Sequence, residues 1–257
     1  MTETLKIDRD GAVAVLTIDN AAKLNALSPP TLHALGRALD DLEADAAVRA
    51  VILSGAGDRV FCAGADIKAW ADLEPFDCAR QWILAGHRLF DRLAAFPAPV
   101  IAALNGHAFG GGLELAAACD LRVAVAEAEF GLPEASIGVV PGWSGIHRLS
   151  RQMPPAIVRE MAMTGARIGA ERAHQVGFLN AVTDGSALDV AKTMAERSLV
   201  LAPRAVEVVK LVASAAAGEG RDGMIDALAG GLIATTADKA EGVASFREKR
   251  KPDFKGE

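Results

Sequence analysis

Apolar residues in this chain fall into short runs separated by polar or glycine-containing turns. Residues 50–53, 99–104 and 121–126 are apolar with little alternation, which is typical of strands in a sheet that is covered on both faces. Two further strand-like runs, 5–7 and Val13–Ile18, lie on either side of a polar turn at residues 9–11. The pattern therefore predicts a largely buried sheet within an α/β fold.

Helical periodicity follows the first strand-like runs, and it is the main pattern in the last part of the chain. Ser28 is a suitable N-cap residue, Pro29 suits the first helical position, and four leucines then mark one helix face: Leu32, Leu35, Leu39 and Leu42. From Pro203 to about Phe246 the sequence is alanine-rich and helical in character. The chain is thus predicted to alternate strands and helices first and to end in helices.

Candidate chemistry lies where apolar strands run into glycines. Residues 100–104 lead through Gly110, Gly111 and Gly112 into an apolar helix-like run at residues 113–118. Such a turn leaves backbone N–H groups at a helix N-terminus, where they can stabilise an oxygen that gains negative charge. Glu114 belongs to the first turn of that helix, and Glu134 follows Pro133 on a separate turn. The arrangement indicates an oxyanion pocket with two carboxylates for acid–base chemistry.

A second small-residue loop strengthens this interpretation. The strand-like run at residues 50–55 is followed by Phe61-Cys62-Ala63-Gly64-Ala65-Asp66-Ile67, so each loop can supply one N–H group to a shared oxygen. Each feature taken alone has an ordinary explanation that is equally suitable. The glycines could be plain turn residues, Glu114 could be favoured by the helix dipole, and Glu134 could be a solvated loop residue.

Composition narrows the class of protein. The chain has 257 residues, 51% of them hydrophobic, which predicts one large α/β domain, with or without an appendage, and a well-filled core. A net charge of −6 argues against a nucleic-acid or membrane-surface binder. The polar N-terminus and the lack of a membrane-length apolar run favour a cytoplasmic protein. The three cysteines and five histidines show neither disulfide nor metal-ligand spacing, and no histidine pairs locally with a serine or cysteine.

Seven segments in order resemble the crotonase (enoyl-CoA hydratase/isomerase) superfamily. They are NAAKLNAL (20–27), FCAGADI (61–67), NGHAFGGGLE (105–114), CDLR (119–122), FGLPEASIGVVPG (130–142), HRL (147–149) and FREKRKPDF (246–254). The resemblance implies a crotonase-like α/β fold: a ββα spiral catalytic core at residues 1–200 and a C-terminal helical trimerisation region at residues 201–257. It also implies a homotrimer, or a hexamer formed as a dimer of trimers.

The same resemblance implies roles for individual residues. Ala65 and Gly111 fall on the positions whose N–H groups hold a thioester oxygen, and Glu114 and Glu134 fall on the two catalytic glutamates of hydratases. An acyl-CoA thioester is the implied substrate and partner, with no separate cofactor. The residue spacing and net charge described above argue against a metal, a nucleic acid and a membrane as further partners. The implied substrate-binding residues are Lys23, Leu24, Ala63, Gly64, Asp66, Ile67, Gly110, Pro133, Gly142 and Trp143.

Retention of both acids favours a hydratase within the superfamily. Adding water to a trans-2-enoyl thioester needs a group that deprotonates water and a group that protonates the α-carbon, whereas shifting a double bond needs one base. We expect Glu114 to handle the water and Glu134 the α-carbon proton, with one raised pKa because two close carboxylates share a proton. Double-bond isomerisation, dehydration of a specialised hydroxyacyl-CoA and a non-enzymatic scaffold remain alternatives.

Three further segments carry expectations. The family's usual Pro-Gly-x-Gly-Gly becomes Pro-Gly-Trp-Ser-Gly at residues 141–145, so we expect Ser144 either to crowd the acyl pocket or to bond a polar acyl group. Trp70, Phe76 and Trp82 lie in a variable lid region and either shape that pocket or belong to the core. The basic residues 249–251 either contact CoA phosphates or are a solvated helix end.

Overall fold

Two β-sheets organise the first part of the chain. The computed structural model describes residues 4–257. The strands, in chain order, are β1 (Leu5–Asp10), β2 (Val13–Ile18), β3 (Ala50–Gly55), β4 (Val60–Cys62), β5 (Val100–Leu104), β6 (His107–Phe109), β7 (Leu121–Val125), β8 (Glu129–Gly131), β9 (Arg167–Gly169) and β10 (Ala181–Thr183). They form a six-stranded sheet in the order β1-β2-β3-β5-β7-β10 and a four-stranded sheet in the order β4-β6-β8-β9.

Helices alternate with these strands and then dominate. They are α1 (Pro29–Ala44), α2 (Pro75–Asp77), α3 (Leu84–Ala94), α4 (Gly111–Ala117), α5 (Gly145–Gln152), α6 (Pro155–Thr164), α7 (Ala170–Gln175), α8 (Ala187–Leu199), α9 (Pro203–Ala216), α10 (Arg221–Ala234) and α11 (Ala237–Glu248). A π-helical turn at Cys78–Ile83 joins α2 to α3, and short 3₁₀ turns occupy Ala21–Lys23, Ile67–Ala69 and Glu134–Ile137. The mixed α/β architecture agrees with the predicted fold class.

The larger sheet is covered on both faces, as its unbroken apolar strands predict. One face packs against α8 through three alanines one helical turn apart, Ala187, Ala191 and Ala195, whose small side chains let the helix approach closely. The other face joins the main core, which includes the fully buried Phe61, Phe90, Phe130 and Phe178. The larger sheet is therefore buried between α8 and the main core.

Strands pair in a repeated way that builds the second sheet. In the large sheet β3, β5 and β7 run parallel, and each is followed within a few residues by a strand of the small sheet, β4, β6 and β8 respectively. The three short strands are also mutually parallel. Their carboxyl ends consequently meet at one edge, where ligands bind in parallel sheets.

The predicted helices and strands agree with the structure, except for the residues at which some of them end. Ser28 accepts a hydrogen bond from the Thr31 amide and caps α1, with Pro29 at its first position. Leu35, Leu39 and Leu42 are buried on this helix. The first strand extends to Asp10, three residues beyond the predicted end, so the turn begins at Gly11, which has a φ of +58°.

The chain divides into two compact units, residues 1–207 and 208–257, the first three residues lying outside the described part. The first unit contains both sheets. The second contains most of α9 together with α10 and α11. The assignment of a catalytic core to residues 1–200 and of an oligomerisation region to residues 201–257 stays a prediction.

Candidate active site

Three loops converge at the carboxyl ends of β4, β6 and β8. The first is residues 63–65 after β4, the second is Gly110 and Gly111 after β6, and the third is residues 132–134 after β8. They surround a cavity of about 490 Å³. Its lining includes the predicted site residues Ala63, Gly64, Ala65, Ile67, Gly110, Gly111, Glu114, Pro133, Glu134, Gly142 and Trp143.

Two amide groups in this cavity have no hydrogen-bond acceptor in the described part of the chain. Gly111 is the first residue of α4, where an N–H group has no intrahelical acceptor. Within residues 4–257 neither the Gly111 nor the Ala65 amide donates a hydrogen bond to another part of the chain. A Cβ atom on Gly111 would lie 3.3 Å from the Ala65 nitrogen, so the two loops are in close contact. Both donors are therefore free to hold one oxygen of a ligand.

Glycines at Gly64 and Gly110 make this contact possible. Gly64 has a φ of +112° and Gly110 a φ of +51°, backbone conformations that L-residues rarely adopt. A Cβ atom on Gly110 would lie only 2.7 Å from Oε1 of Glu134. A side chain at Gly110 would therefore displace the carboxylate, and the turn requires glycine there.

Glu114 is deeply buried and held by backbone amides. Its side chain is in the first turn of α4, and its residue exposure is 2%. The N–H groups of Trp143 and Gly145 both donate to Oε1, each over 2.8 Å. Burial raises the pKa of Glu114, while these hydrogen bonds and the charge of Arg148 oppose that rise. One oxygen is thus fixed in place by the turn before α5.

Glu134 has a different environment. It begins the 3₁₀ turn Glu134–Ile137 at the cavity wall, and its Oε2 atom is buried without a hydrogen-bond partner among the described residues. Burial raises the pKa of Glu134 to about 7, and the nearby charge of Glu114 contributes to the rise. A carboxyl group with one unpartnered oxygen and a pKa near neutral pH is suited to proton transfer.

The cavity wall is otherwise mainly apolar. It includes Ile67, Trp70, Trp82, Ile83, Ile137, Val139 and Val140. Trp70 and Trp82 line the cavity, in agreement with the prediction that they shape the acyl pocket. Phe76, in contrast, is 85% exposed and is not part of the lining. A hydrocarbon group suits such a wall.

Trp143 forms part of the cavity floor. Its indole is 2% exposed, lies 5.0 Å from the Trp82 ring and 5.3 Å from the Phe90 ring between centroids, and donates its Nε1–H to the Trp82 carbonyl. A Cβ atom on Gly111 would lie 2.9 Å from this ring. The ring therefore packs directly against the backbone that carries one oxyanion donor.

Three of the predicted substrate-binding residues are not in the cavity lining. Lys23 and Leu24 lie beside the cavity, because the Leu24 carbonyl accepts a hydrogen bond from the amide of the lining residue Ala63. Leu24 has a φ of +54°. Asp66 instead caps the following 3₁₀ turn by accepting from the Lys68 amide. Arg250, at the centre of the basic segment 249–251, pairs with Glu241 and Glu248.

The expectation for Ser144 is wrong in its contacts. Its hydroxyl is bonded to the ring of His87 and it is not among the cavity-lining residues. Its side chain is therefore engaged by α3 and does not narrow the cavity. Residues 4–257 contain no group of three His, Cys, Asp or Glu side chains placed to hold a metal ion. In the described part of the chain, no helix is both long and apolar enough to cross a membrane.

Comparison with known proteins gives consistent matches. The profile of the family described as Enoyl-CoA hydratase/isomerase matches residues 8–257. The chain is 37% identical to the short-chain-enoyl-CoA hydratase of Clostridium acetobutylicum over 95% of both chains. It is 36% identical to the carnitinyl-CoA dehydratase of Proteus mirabilis over the full length of both. A solved enoyl-CoA hydratase of Bacillus anthracis superposes with a TM-score of 0.80 at 33% identity, covering 99% of this chain and 100% of that one.

Proposed function

This chain belongs to the enoyl-CoA hydratase/isomerase family, and from that premise we propose that it adds water reversibly to trans-2-enoyl-CoA thioesters through Glu114 and Glu134. It is an enzyme with enoyl-CoA hydratase activity, a lyase of acyl-CoA metabolism. The observation that carries the residue assignment is one cavity with two amides that have no acceptor within residues 4–257, one deeply buried carboxyl group and one half-buried carboxyl group. That set matches the needs of water addition next to a thioester.

The thioester oxygen is held by the amides of Ala65 and Gly111. When water attacks the β-carbon, electrons move through the conjugated system and negative charge accumulates on this oxygen. Two fixed N–H donors stabilise the resulting enolate without reorganisation, and each is worth about 2.7–4 kcal/mol. The α4 N-terminus adds its own positive potential at Gly111.

The two glutamates divide the proton transfers. Glu114, fixed through Oε1, accepts a proton from the attacking water at its second oxygen when it is ionised, a form that burial disfavours and that the amide hydrogen bonds and Arg148 favour. Glu134, protonated near neutral pH because its pKa is about 7, donates a proton to the α-carbon. After one turnover Glu114 is protonated and Glu134 is ionised. The starting state returns when Glu114 loses its proton and Glu134 gains one, by exchange with solvent. The reverse reaction uses the same groups in exchanged roles.

The substrate is an acyl-CoA with a hydrocarbon acyl group. The apolar wall formed by Ile67, Trp82 and Ile83 accepts such a chain, and the Trp143 ring limits its depth. Coenzyme A is part of the substrate, and the steps above use no separate cofactor or metal. The protein is proposed to act in the cytoplasm as a homotrimer, or as a hexamer of two trimers, without nucleic-acid or membrane partners.

A dehydratase acting on a substituted hydroxyacyl-CoA is the second candidate. The full-length similarity to a carnitinyl-CoA dehydratase favours it, because dehydration is the reverse of the same reaction. The apolar lining favours an unsubstituted acyl chain instead. An isomerase would need only one of the two carboxyl groups, and a scaffold would need neither.

Product analysis tests the proposal. Purified protein is incubated with crotonyl-CoA, with a 3-enoyl-CoA and with a cationic hydroxyacyl-CoA, and the products are separated and identified by mass. We expect crotonyl-CoA to gain one water and to give the highest kcat/KM of the three. Turnover of the 3-enoyl-CoA alone would establish an isomerase, and a preference for the cationic substrate would establish the specialised dehydratase.

A further inference from the structure

A chain of hydrogen bonds links α3 to the beginning of α5. The Ser144 hydroxyl and Nε2 of His87 lie 2.7 Å apart, and Nδ1 of His87 lies 2.9 Å from Oδ2 of Asp91. The second oxygen of Asp91 accepts from Nη2 of Arg148 over 2.6 Å. Because a carboxylate only accepts, Nδ1 of His87 carries a proton and donates it to Asp91, and the Ser144 hydroxyl can bond Nε2 as either donor or acceptor.

The chain ends at a serine in an unusual conformation. Ser144 has a φ of +71°, in the left-handed region that L-residues rarely adopt. It is 9% exposed and is the residue before α5. The neighbouring residues on either side, Trp143 and Gly145, each donate an amide hydrogen bond to Glu114. A change at Ser144 therefore acts on both donors at once.

We propose that Ser144 and His87 are positioning residues that hold the 143–145 turn in its left-handed conformation, so that its amides stay directed at Glu114. The histidine bond compensates for the strain at Ser144, and Asp91 fixes the ring from the other side. Arg148 extends the same clamp, since it is bonded to Asp91 and its charge acts on Glu114. Arg92, also on α3, pairs instead with Asp40 and Glu43 of α1. This inference rests on the proposed function of Glu114 as the group that deprotonates water.

A serine, histidine and aspartate in this order also resemble a nucleophilic triad. Attack on a thioester would require the Ser144 oxygen to reach the carbonyl carbon held by Ala65 and Gly111. Neither Ser144 nor His87 lines the cavity, so the geometry favours positioning over nucleophilic attack. The two roles predict different behaviour of serine variants.

Two substitutions separate the roles. Ser144→Ala removes the hydroxyl but keeps the Cβ atom and its strain, whereas Ser144→Gly removes both. We expect Ser144→Ala to lower kcat/KM for crotonyl-CoA about tenfold, the factor expected for one strained left-handed residue. Ser144→Gly should recover most of that loss, because glycine adopts the turn without a tether. Equal and complete loss in both variants, or release of free CoA thiol by the wild type, would instead establish the nucleophile.

The pH profile distinguishes positioning from a general loss of structure. Hydrogen bonds to ionised Glu114 lower its pKa, so losing them raises it and moves the acidic limb of kcat/KM upward, by about half a unit or more. His87→Ala should match Ser144→Ala in this shift and should have little further effect when combined with Ser144→Gly. Ser198→Ala removes a serine hydroxyl that donates to the Ala195 carbonyl and not to a histidine; it is the matched control and should shift nothing. An unmoved limb in Ser144→Ala overturns the proposal.

A second readout does not need turnover. The carboxyl carbon of Glu114 is followed by ¹³C NMR during a pH titration of wild type, Ser144→Ala and Ser144→Gly, each with Glu134→Gln to remove the coupled group. An upward shift confined to the alanine variant supports the clamp. Identical titrations in all three contradict it, whether or not the protein hydrates crotonyl-CoA.

Discussion

At the residue scale, the two glutamates differ through their surroundings and not through their chemistry. Glu114 accepts amide hydrogen bonds from residues about thirty positions away, whereas Oε2 of Glu134 is buried without a hydrogen-bond partner among residues 4–257. The sequence predicted both acids and a raised pKa for one of them. It could not assign the rise, because burial and the amides of Trp143 and Gly145 depend on the tertiary fold. Both pKa values are raised, and Glu134 has the one near 7.

The pKa of Glu134 predicts the alkaline side of the activity profile. Hydration requires protonated Glu134, so kcat/KM should fall as pH rises through about 7, approaching tenfold per pH unit. The measurement is crotonyl-CoA hydration from about pH 5 to about pH 9, with substrate well below KM.

Glu134→Gln is the control for that limb. Its residual activity should lack the fall near pH 7, because glutamine does not titrate. A flat profile in the wild type from about pH 6 to about pH 9, or the same limb in Glu134→Gln, would contradict the assignment.

At the scale of elements, the site depends on strands that the sequence did not reveal. The long apolar strands were predicted because their patterns extend over five or six residues. The strands β4, β6 and β8 have three residues each, too few for a period-two pattern, and their pairing into a second sheet is a tertiary property. The hydrogen bond between Ser144 and His87 joins residues 57 positions apart, so no local sequence motif indicates it.

The contact between α3 and the turn before α5 gives a prediction at this scale. Gly86 lies inside α3, where alanine would be favoured by about 1 kcal/mol, yet its Cβ atom would fall 2.3 Å from Nε1 of Trp143. Gly86→Ala should therefore displace the indole, destabilise the protein by about 1–3 kcal/mol and lower kcat. The measurement is denaturant unfolding together with steady-state kinetics.

Gly36→Ala is the matched control for Gly86→Ala. It is also a glycine within a helix, and its Cβ atom would make only an ordinary contact, 3.7 Å from Leu89. This variant should be neutral or more stable by up to about 1 kcal/mol. Equal stability changes in the two variants would show that the indole does not need the space at Gly86.

At the scale of the whole molecule, the C-terminal unit exposes many apolar side chains. No residue of α10 is buried in the single chain, and exposed side chains in this unit include Val209, Val212, Ile225, Leu232, Ile233 and Phe246. Large exposed apolar surface is unusual in a monomer. The alanine-rich sequence predicted helices here, whereas the oligomerisation role and the number of subunits come from the family resemblance alone.

An oligomer is therefore expected in solution. Light scattering coupled to size exclusion at micromolar concentration should give the mass of three or six chains. Leu232→Glu, which places a charge at a side chain 69% exposed in the single chain, should reduce that mass. Met163→Glu changes an exposed apolar residue of the first unit and should leave it unchanged. A monomeric wild type would refute the assembly.

The central claim is that Glu114 and Glu134 act together on water and the α-carbon. The most direct test measures crotonyl-CoA hydration by Glu114→Gln, Glu134→Gln and the double variant, with the exposed Glu127→Gln as control. We predict that each single variant loses at least ~10²-fold in kcat and that the double variant loses far less than the product, because the two groups act as a unit. CoA affinity and the control should be nearly unchanged. Full hydration by Glu114→Gln alongside an inactive Glu134→Gln would contradict the account and leave a single-base mechanism.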